Sequence, residues 1–175
     1  MLSAQRLCLA VLGICLLNTM IHAADWPHWR GPQQNGQSSE TGLNLQWQGN
    51  NPKVLWRKSL GVGASAVSVV GERVYTMGNI NDKDIVYCFD AATGREIWTH
   101  RYDCGLAARS FEGGPGSTPT VDDGRVYTLS HEGQLFCLDA ATGKVIWSKH
   151  LERDYQGVGL IGAFPAPRSS KATCS

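Results

Sequence analysis

The chain has 175 residues and a formal net charge of +1, with 16 basic and 15 acidic side chains. This balance excludes a strongly basic or acidic protein, and with it nucleic acid as an obligatory partner. Twenty glycines and six tryptophans, with only 18% charged residues, favour a turn-rich all-β protein over a disordered one.

Residues 1–23 have the organisation of a secretory signal peptide. Arg6 provides a positive charge, residues 7–17 form an apolar run, and residues 21–23 offer a cleavage site before Ala24. An uncleaved membrane anchor is the alternative, although the apolar run is too short to span a bilayer as a mature helix. We therefore expect a periplasmic or secreted protein with no membrane span after signal cleavage.

Residues 24–53 are predicted to form an N-terminal strap or loop. Within residues 25–42, two prolines and several Gly, Asn, Ser and Gln residues interrupt any helical or alternating pattern. Trp26 and Trp29 either anchor this strap on the folded domain or form a ligand platform. Anchoring is the preferred interpretation, because large aromatic side chains contribute much burial energy.

An internal repeat dominates the rest of the chain. Residues 90–98 read DAATGREIW and residues 139–147 read DAATGKVIW. Each segment follows an apolar run, and its Asp, Thr and Gly residues favour a tight turn, so each predicts a hairpin that ends in a strand carrying Trp. A self-match of this quality indicates a repeat architecture.

Residues 54–151 are predicted to form propeller blades. A gap of 42 residues separates Trp56 from Trp98, and 49 residues separate Trp98 from Trp147. Turn signals divide each repeat into four short strands, which predicts an all-β, partial β-propeller of four-stranded antiparallel blades. The chain has room for about two complete blades plus one outer strand at residues 54–60.

Two insertions interrupt the repeat and are predicted to be loops. Residues 78–84 lengthen the first repeat, and residues 103–116 form a long connection between the blades. Arg109 in the second insertion is a candidate anion-binding residue, because functional residues concentrate on loops. A plain surface connection is the preferred interpretation.

Four cysteines remain after signal cleavage: Cys88, Cys104, Cys137 and Cys174. Cys88 and Cys137 occupy equivalent repeat positions, which usually lie further apart than the roughly 4.4–6.8 Å between Cα atoms that a disulfide needs. We expect these two to be small buried hydrophobic residues. No Cys-x-x-Cys or zinc-finger spacing is present, so the sequence predicts no metal site.

The hairpins resemble the tryptophan-docking motif of the pyrroloquinoline quinone (PQQ) repeat, Ala-x-Asp-x-x-Thr-Gly-Lys-x-x-Trp. Cys88 and Cys137 stand where that pattern has Ala, and Arg95 replaces Lys in the first copy. The resemblance covers residues 54–151, and residues 26–32 and 40–43 further resemble exported bacterial PQQ-repeat proteins. It implies that each Asp and Thr stabilises its hairpin and that each Trp packs between neighbouring blades.

The family that this chain resembles includes quinoprotein alcohol dehydrogenases and a non-enzymatic scaffold lipoprotein of outer-membrane assembly. The dehydrogenases hold PQQ and calcium with residues from many blades, including a catalytic Asp and a vicinal cysteine pair. This chain has no adjacent cysteines, so no catalytic, cofactor-binding or metal-binding residue is transferred to it. A repeat does not carry over the activity of its best-known members.

We therefore expect a non-enzymatic, exported binding or scaffold protein that needs no cofactor. Its expected partners are other proteins or missing blades of the same propeller. A fragment of a PQQ-dependent dehydrogenase is the alternative, and a structural remnant without activity is a third possibility. Residues 152–175 are predicted to hold an incomplete blade start and an irregular tail, which suggests a truncated, aggregation-prone fragment.

Overall fold

The computed structural model describes residues 24–42, 46–47, 52–107 and 112–155. The predicted signal peptide, Arg109, Cys174 and most of the predicted tail lie outside these described residues. Among the described residues, no helix is long and apolar enough to cross a membrane.

Two four-stranded antiparallel sheets make up the structure, and each has its strands in chain order. The first blade consists of β1 (Ser68–Val70), β2 (Arg73–Asn79), β3 (Lys83–Asp90) and β4 (Glu96–Asp103). The second blade consists of β5 (Thr120–Asp122), β6 (Arg125–Leu129), β7 (Gln134–Asp139) and β8 (Val145–His150), followed by the short helix α1 (Leu151–Tyr155). The predicted all-β architecture with two complete four-stranded blades is confirmed.

The two blades share their strand register. Cys88 pairs with Trp98 in the first blade, and Cys137 pairs with Trp147 in the second. In both blades the register shifts directly after the cysteine. The repeated sequence therefore specifies the same irregularity twice, which places each Trp at the same position of its blade.

The predicted outer strand at residues 54–60 is wrong. Residues 52–60 form no strand, and the strand pairings among the described residues do not include them. Further along, Val62 forms a single antiparallel bridge with Asn79.

The predicted loop at residues 78–84 is also wrong in extent. Strand β2 continues to Asn79 and β3 begins at Lys83, so the insertion lengthens a hairpin. Asn81 and Asp82 form its turn at φ of 54° and 57°. Both residue types tolerate this left-handed conformation, which two-residue hairpin turns of type I′ require. The predicted inter-blade connection at residues 103–116 is confirmed in position, since β4 ends at Asp103 and β5 begins at Thr120. Its interpretation as a plain surface connection is wrong, because Cys104, Gly113, Gly114 and Pro115 are buried.

The N-terminal strap lies against the inner strands of both blades. Trp26 exchanges two backbone hydrogen bonds with Val69 of β1, at 2.7 and 2.9 Å, and Pro27 O accepts one from Val121 N of β5 at 2.7 Å. The anchoring interpretation is confirmed for Trp26. Trp29, in contrast, is 59% exposed.

The main hydrophobic core lies between the two blades. It joins residues of the first blade to residues of the second: Tyr75, Met77, Val86, Cys88, Trp98, Val121, Val126, Leu138 and Ala140. Cys88 and Cys137 are fully buried and free, which confirms that they are buried small residues rather than a disulfide.

Candidate functional site at the blade junctions

Each repeated hairpin is held by its own Asp and Thr side chains. Asp90 Oδ1 accepts hydrogen bonds from Thr93 N at 2.8 Å and Thr93 Oγ1 at 2.6 Å. Asp139 Oδ1 accepts the same pair from Thr142 at 2.8 and 2.7 Å. These bonds favour the ionised form, and the Thr hydroxyl is the largest cause that lowers the pKa of each Asp. The hairpin roles implied by the resemblance are confirmed.

Trp98 connects the first blade to the hairpin of the second. Its indole Nε1 donates a hydrogen bond to Ala140 O at 3.0 Å, and its ring lies on Gly143, where an added Cβ would come within 2.6 Å of the ring. Arg73 Nη1 and Tyr75 Oη donate to the same carbonyl at 2.6 and 3.3 Å. Three side chains of one blade therefore bind one backbone oxygen of the next.

We call the space over the hairpin glycine, next to the carbonyl that accepts the indole hydrogen bond, the docking socket. Trp56 occupies the equivalent socket of the first blade. Its Nε1 donates to Ala91 O at 2.9 Å, and a Cβ at Gly94 would lie 2.5 Å from its ring. Segment 52–60 therefore provides a docking Trp although it does not form the predicted strand. Phe89 packs beside this indole, with 6.2 Å between the ring centroids.

The third docking residue, Trp147, lies on an open surface. It is 39% exposed, whereas Trp98 is 8% exposed. Val145 and Ile146 on the same strand are 45% and 49% exposed. Among the described residues, packing between blades is thus confirmed for Trp98 and does not extend to Trp147. We call the surface formed by Val145, Ile146 and Trp147 the open face.

A buried polar cluster lies at one end of the blade junction. It joins Asp84 of β3, Cys104 just after β4 and His131 of the β6–β7 turn, with one potential ligand atom from each residue all within 4.8 Å of one another. Asn79 Nδ2 donates to Asp84 Oδ1 at 2.8 Å, and Tyr102 Oη donates to Asp84 Oδ2 at 3.4 Å. The cluster therefore combines groups from both blades.

Burial disfavours the charged forms of the cluster. Asp84 is fully buried, and this desolvation raises the pKa of its carboxyl group. Burial, and secondly the neighbouring Asp84, raises the pKa of the Cys104 thiol to about 12. Cys104 is therefore a neutral thiol in the protein without a bound cation.

Sequence reasoning missed this cluster because its members come from three separate segments. The available signal is a departure from the repeat: 49 residues after Asp84 the second blade has Gly133, and 49 residues after Cys104 it has Arg153. A polar residue that only one repeat contains is more informative about a site than a shared one, since the shared residues build the hairpins.

The alternative interpretation of the strap tryptophans, as a platform for a ligand, concerns a cleft beside Trp29. His28, Trp29, Arg30, Gln34 and Thr120 line a surface cleft. The Arg30 guanidinium carbon lies 5.6 Å from the centroid of the Trp29 ring. Trp29 therefore contributes to this cleft, whereas Trp26 is held by backbone pairing with β1.

A family model for PQQ repeats, described as outer membrane protein assembly factor BamB, matches residues 82–166. A quinohemoprotein alcohol dehydrogenase from Comamonas testosteroni has a TM-score of 0.53 and 25% identity, over 77% of this chain and 21% of that one. Together with the repeated Asp-Thr-Gly-Trp hairpins, these matches support a PQQ-repeat protein of the propeller type.

Two other solved structures match with lower TM-scores and over less of this chain. BamB from Moraxella catarrhalis has a TM-score of 0.37 and 20% identity, over 49% of this chain and 24% of that one. A quinohemoprotein alcohol dehydrogenase from Pseudomonas putida HK5 has a TM-score of 0.41 and 26% identity, over 57% and 14%. The chain thus spans about a quarter or less of the length of these structures. No curated protein matches the sequence.

Proposed function

We propose that this PQQ-repeat protein is an exported, non-enzymatic binding or scaffold protein of the periplasm or cell exterior. Its proposed binding element is the open face of the second blade. The proposed occupant of this face is another PQQ-type blade that offers a free Asp-x-x-Thr-Gly hairpin. The single observation that carries the proposal is the difference between Trp98, which is docked, and Trp147, which is exposed.

The chemistry of the docked junction defines what the open face binds. Trp98 needs a glycine that leaves room for its ring and a backbone carbonyl that accepts its indole proton. Trp147 belongs to the same sequence motif, with the same strand register. Large exposed apolar side chains that are grouped together mark interaction surfaces.

The sockets of the described blades are already filled. Trp56 occupies the Gly94 socket and Trp98 occupies the Gly143 socket. A second copy of this chain therefore offers no free socket among its described residues. The proposed occupant is consequently a blade of a separate PQQ-repeat protein.

Photo-crosslinking tests this proposal directly. A photoreactive residue at Ile146, on the open face, should crosslink in cells that export the full chain. Glu72, an exposed residue in the β1–β2 turn, is the matched control position. Mass spectrometry should identify a crosslinked peptide that contains an Asp-x-x-Thr-Gly hairpin other than the two hairpins of this chain. Equal crosslinking at both positions, or only self-crosslinks, would contradict the proposal.

The alternative is a part of a PQQ-dependent dehydrogenase, and the match to the Comamonas testosteroni enzyme favours it. Purified protein should be mixed with PQQ and Ca²⁺ and assayed for dye reduction with simple alcohols. We expect no turnover above a heat-killed control. Turnover that depends on PQQ would replace the scaffold proposal with the enzymatic one.

A further inference from the structure

The polar cluster of Asp84, Cys104 and His131 has the composition of a metal site. It offers a carboxylate, a thiol and an imidazole, which are all common ligands of Zn²⁺. Thiolate and imidazole ligands favour Zn²⁺ or a similar transition-metal ion over Mg²⁺ and Ca²⁺, which prefer oxygen ligands. The cluster lies between the blades and is separate from the open face.

The spacing of two ligands already suits coordination. Cys104 Sγ lies 3.6 Å from His131 Nδ1. For a tetrahedral Zn²⁺ site, metal distances of about 2.3 Å to sulfur and about 2.0–2.1 Å to nitrogen place the two ligand atoms roughly 3.5 Å apart. The Asp84 carboxylate has an oxygen within 4.8 Å of both, so a small side-chain adjustment completes a three-ligand set.

Groups around the cluster orient the three ligands. Nδ1 of His131 faces Cys104, whereas its Nε2 faces the carboxylate Oε1 of Glu132 at 4.0 Å. A carboxylate behind the second ring nitrogen is the usual arrangement around a metal-bound histidine. Glu132 Oε1 also accepts a hydrogen bond from Gly105 N at 3.3 Å, which ties this turn to the segment that carries Cys104.

The Asp84 carboxylate is likewise held in place. Asn79 Nδ2 donates to Asp84 Oδ1 and to Cys104 O, each at 2.8 Å. Asp84 is fully buried and Cys104 is 2% exposed. Buried carboxylates are costly unless they are paired or coordinate a cation. The Asn79 Oδ1 atom is buried without a hydrogen-bond partner, so a hydrogen-bond acceptor beside the cluster is unsatisfied.

We propose that Asp84, Cys104 and His131 bind one Zn²⁺ ion, which links the two blades. Binding deprotonates the Cys104 thiol and forms a Zn–S bond, and the proton passes to solvent. Three protein ligands leave a fourth position for water. The His131 side chain is 16% exposed and that of Glu132 44% exposed, so the ion enters from this side. The proposal departs from the sequence-based expectation that no metal site is present.

Metal titration of the tag-free, chelator-treated full chain tests the site. We expect calorimetry with Zn²⁺ alone to give one ion per chain, and Zn²⁺ to raise the melting temperature. Titration with Co²⁺ should produce the thiolate-to-cobalt charge-transfer absorption of a tetrahedral site. Absence of both the calorimetric signal and the cobalt absorption in the wild-type chain would overturn the proposal.

Variants separate this site from adventitious binding. Cys104→Ser should abolish the charge-transfer absorption. His131→Gln removes a ligand and should weaken Zn²⁺ binding by more than about 100-fold, the upper end of the loss typical of outer-shell partners. Glu132→Gln should weaken it about tenfold, because this residue positions His131. Cys88→Ser, which changes a buried cysteine outside the cluster, is the matched control and should keep the cobalt absorption. Retention of that absorption in Cys104→Ser, or its loss only in Cys88→Ser, would contradict the assignment.

Discussion

The two blades have the same internal geometry but different surroundings. The ring centroids of Tyr75 and Trp98 lie 6.0 Å apart at an interplanar angle of 50°, and those of Tyr127 and Trp147 lie 6.1 Å apart at 51°. Yet Trp98 is 8% exposed and Trp147 is 39% exposed. The repeated sequence therefore sets the arrangement inside each blade, whereas the neighbouring blade determines which side chains become core.

Strands β4 and β8 extend this comparison beyond the tryptophans. Ile97 of β4 packs against the main core, whereas its counterpart Ile146 of β8 is 49% exposed. The core residues come from both sheets, because a single blade cannot bury its own apolar faces. Substitutions at matched positions should consequently have unequal effects on stability.

The largest expected difference concerns the two docking tryptophans. Trp98→Ala should lower the free energy of unfolding by about 3–5 kcal/mol, since it removes a buried aromatic ring and leaves a cavity between the blades. Trp147→Ala should lower it by only about 1–2 kcal/mol, because the ring is partly exposed. Denaturant titration of the full chain measures both values. Equal losses would show that Trp147 is docked in solution.

The second difference concerns two glycines with almost the same backbone conformation. Gly143 and Gly124 have φ of 71° and 70°, but an added Cβ would meet the Trp98 ring only at Gly143. Gly143→Ala should destabilise the protein by about 2–4 kcal/mol, from steric overlap and left-handed strain together. Gly124→Ala should cost about 1 kcal/mol from strain alone.

Thermal and denaturant unfolding of the two glycine variants provides this comparison with an internal control. Since both substitutions add the same methyl group at the same φ, the backbone contribution cancels in their difference. A Gly124→Ala loss as large as that of Gly143→Ala would mean that backbone strain, and not the socket for Trp98, governs the hairpin.

The smallest expected effect is a pH dependence of stability at acidic pH, which the hairpins of both blades share. The pKa of Asp90 and of Asp139 is lowered in the folded protein. Their contribution to stability is therefore present above the unfolded carboxyl pKa of about 3.9 and is lost as the pH falls through the lower folded value. Asp139→Asn should flatten the decline in stability below about pH 4, and Asp90→Asn should do so equally.

Urea titrations between pH 2 and 6 would measure the slopes, a range chosen to span roughly two units on either side of the unfolded pKa. Asp122→Asn is a suitable control, because this exposed Asp lies at the end of β5 and outside the two Asp-x-x-Thr-Gly hairpins. An unchanged slope in the hairpin variants would indicate that other carboxyl groups dominate acid unfolding.

The sequence predicts the blades well because the information is local. Residues 90–94 carry the Asp, Thr and Gly that one hairpin needs, and residues 139–143 repeat them. The strand prediction at residues 54–60 failed because a strand also needs a partner, which a local pattern does not reveal. The loop prediction at residues 78–84 failed because the positive φ of Asn81 and Asp82 closes a hairpin tightly.

The polar cluster could not be predicted from sequence spacing. Asp84, Cys104 and His131 meet only after two sheets have packed together, and their positions along the chain match no metal-binding pattern. The exposure of Trp147 could not be predicted for a related reason, since its motif is identical in type to that of Trp98. Tertiary neighbours decide both features.

A double-mutant cycle between Trp98 and Gly143 tests the central claim that Trp98 docks on the hairpin of the next blade. We expect Gly143→Ala to cost much less in a Trp98→Ala background, with a coupling energy of about 1–3 kcal/mol. Trp147→Ala and Gly94→Ala lie in different blades and should be additive within about 0.5 kcal/mol. Additive behaviour for Trp98 and Gly143 would contradict the docking of one blade on the next.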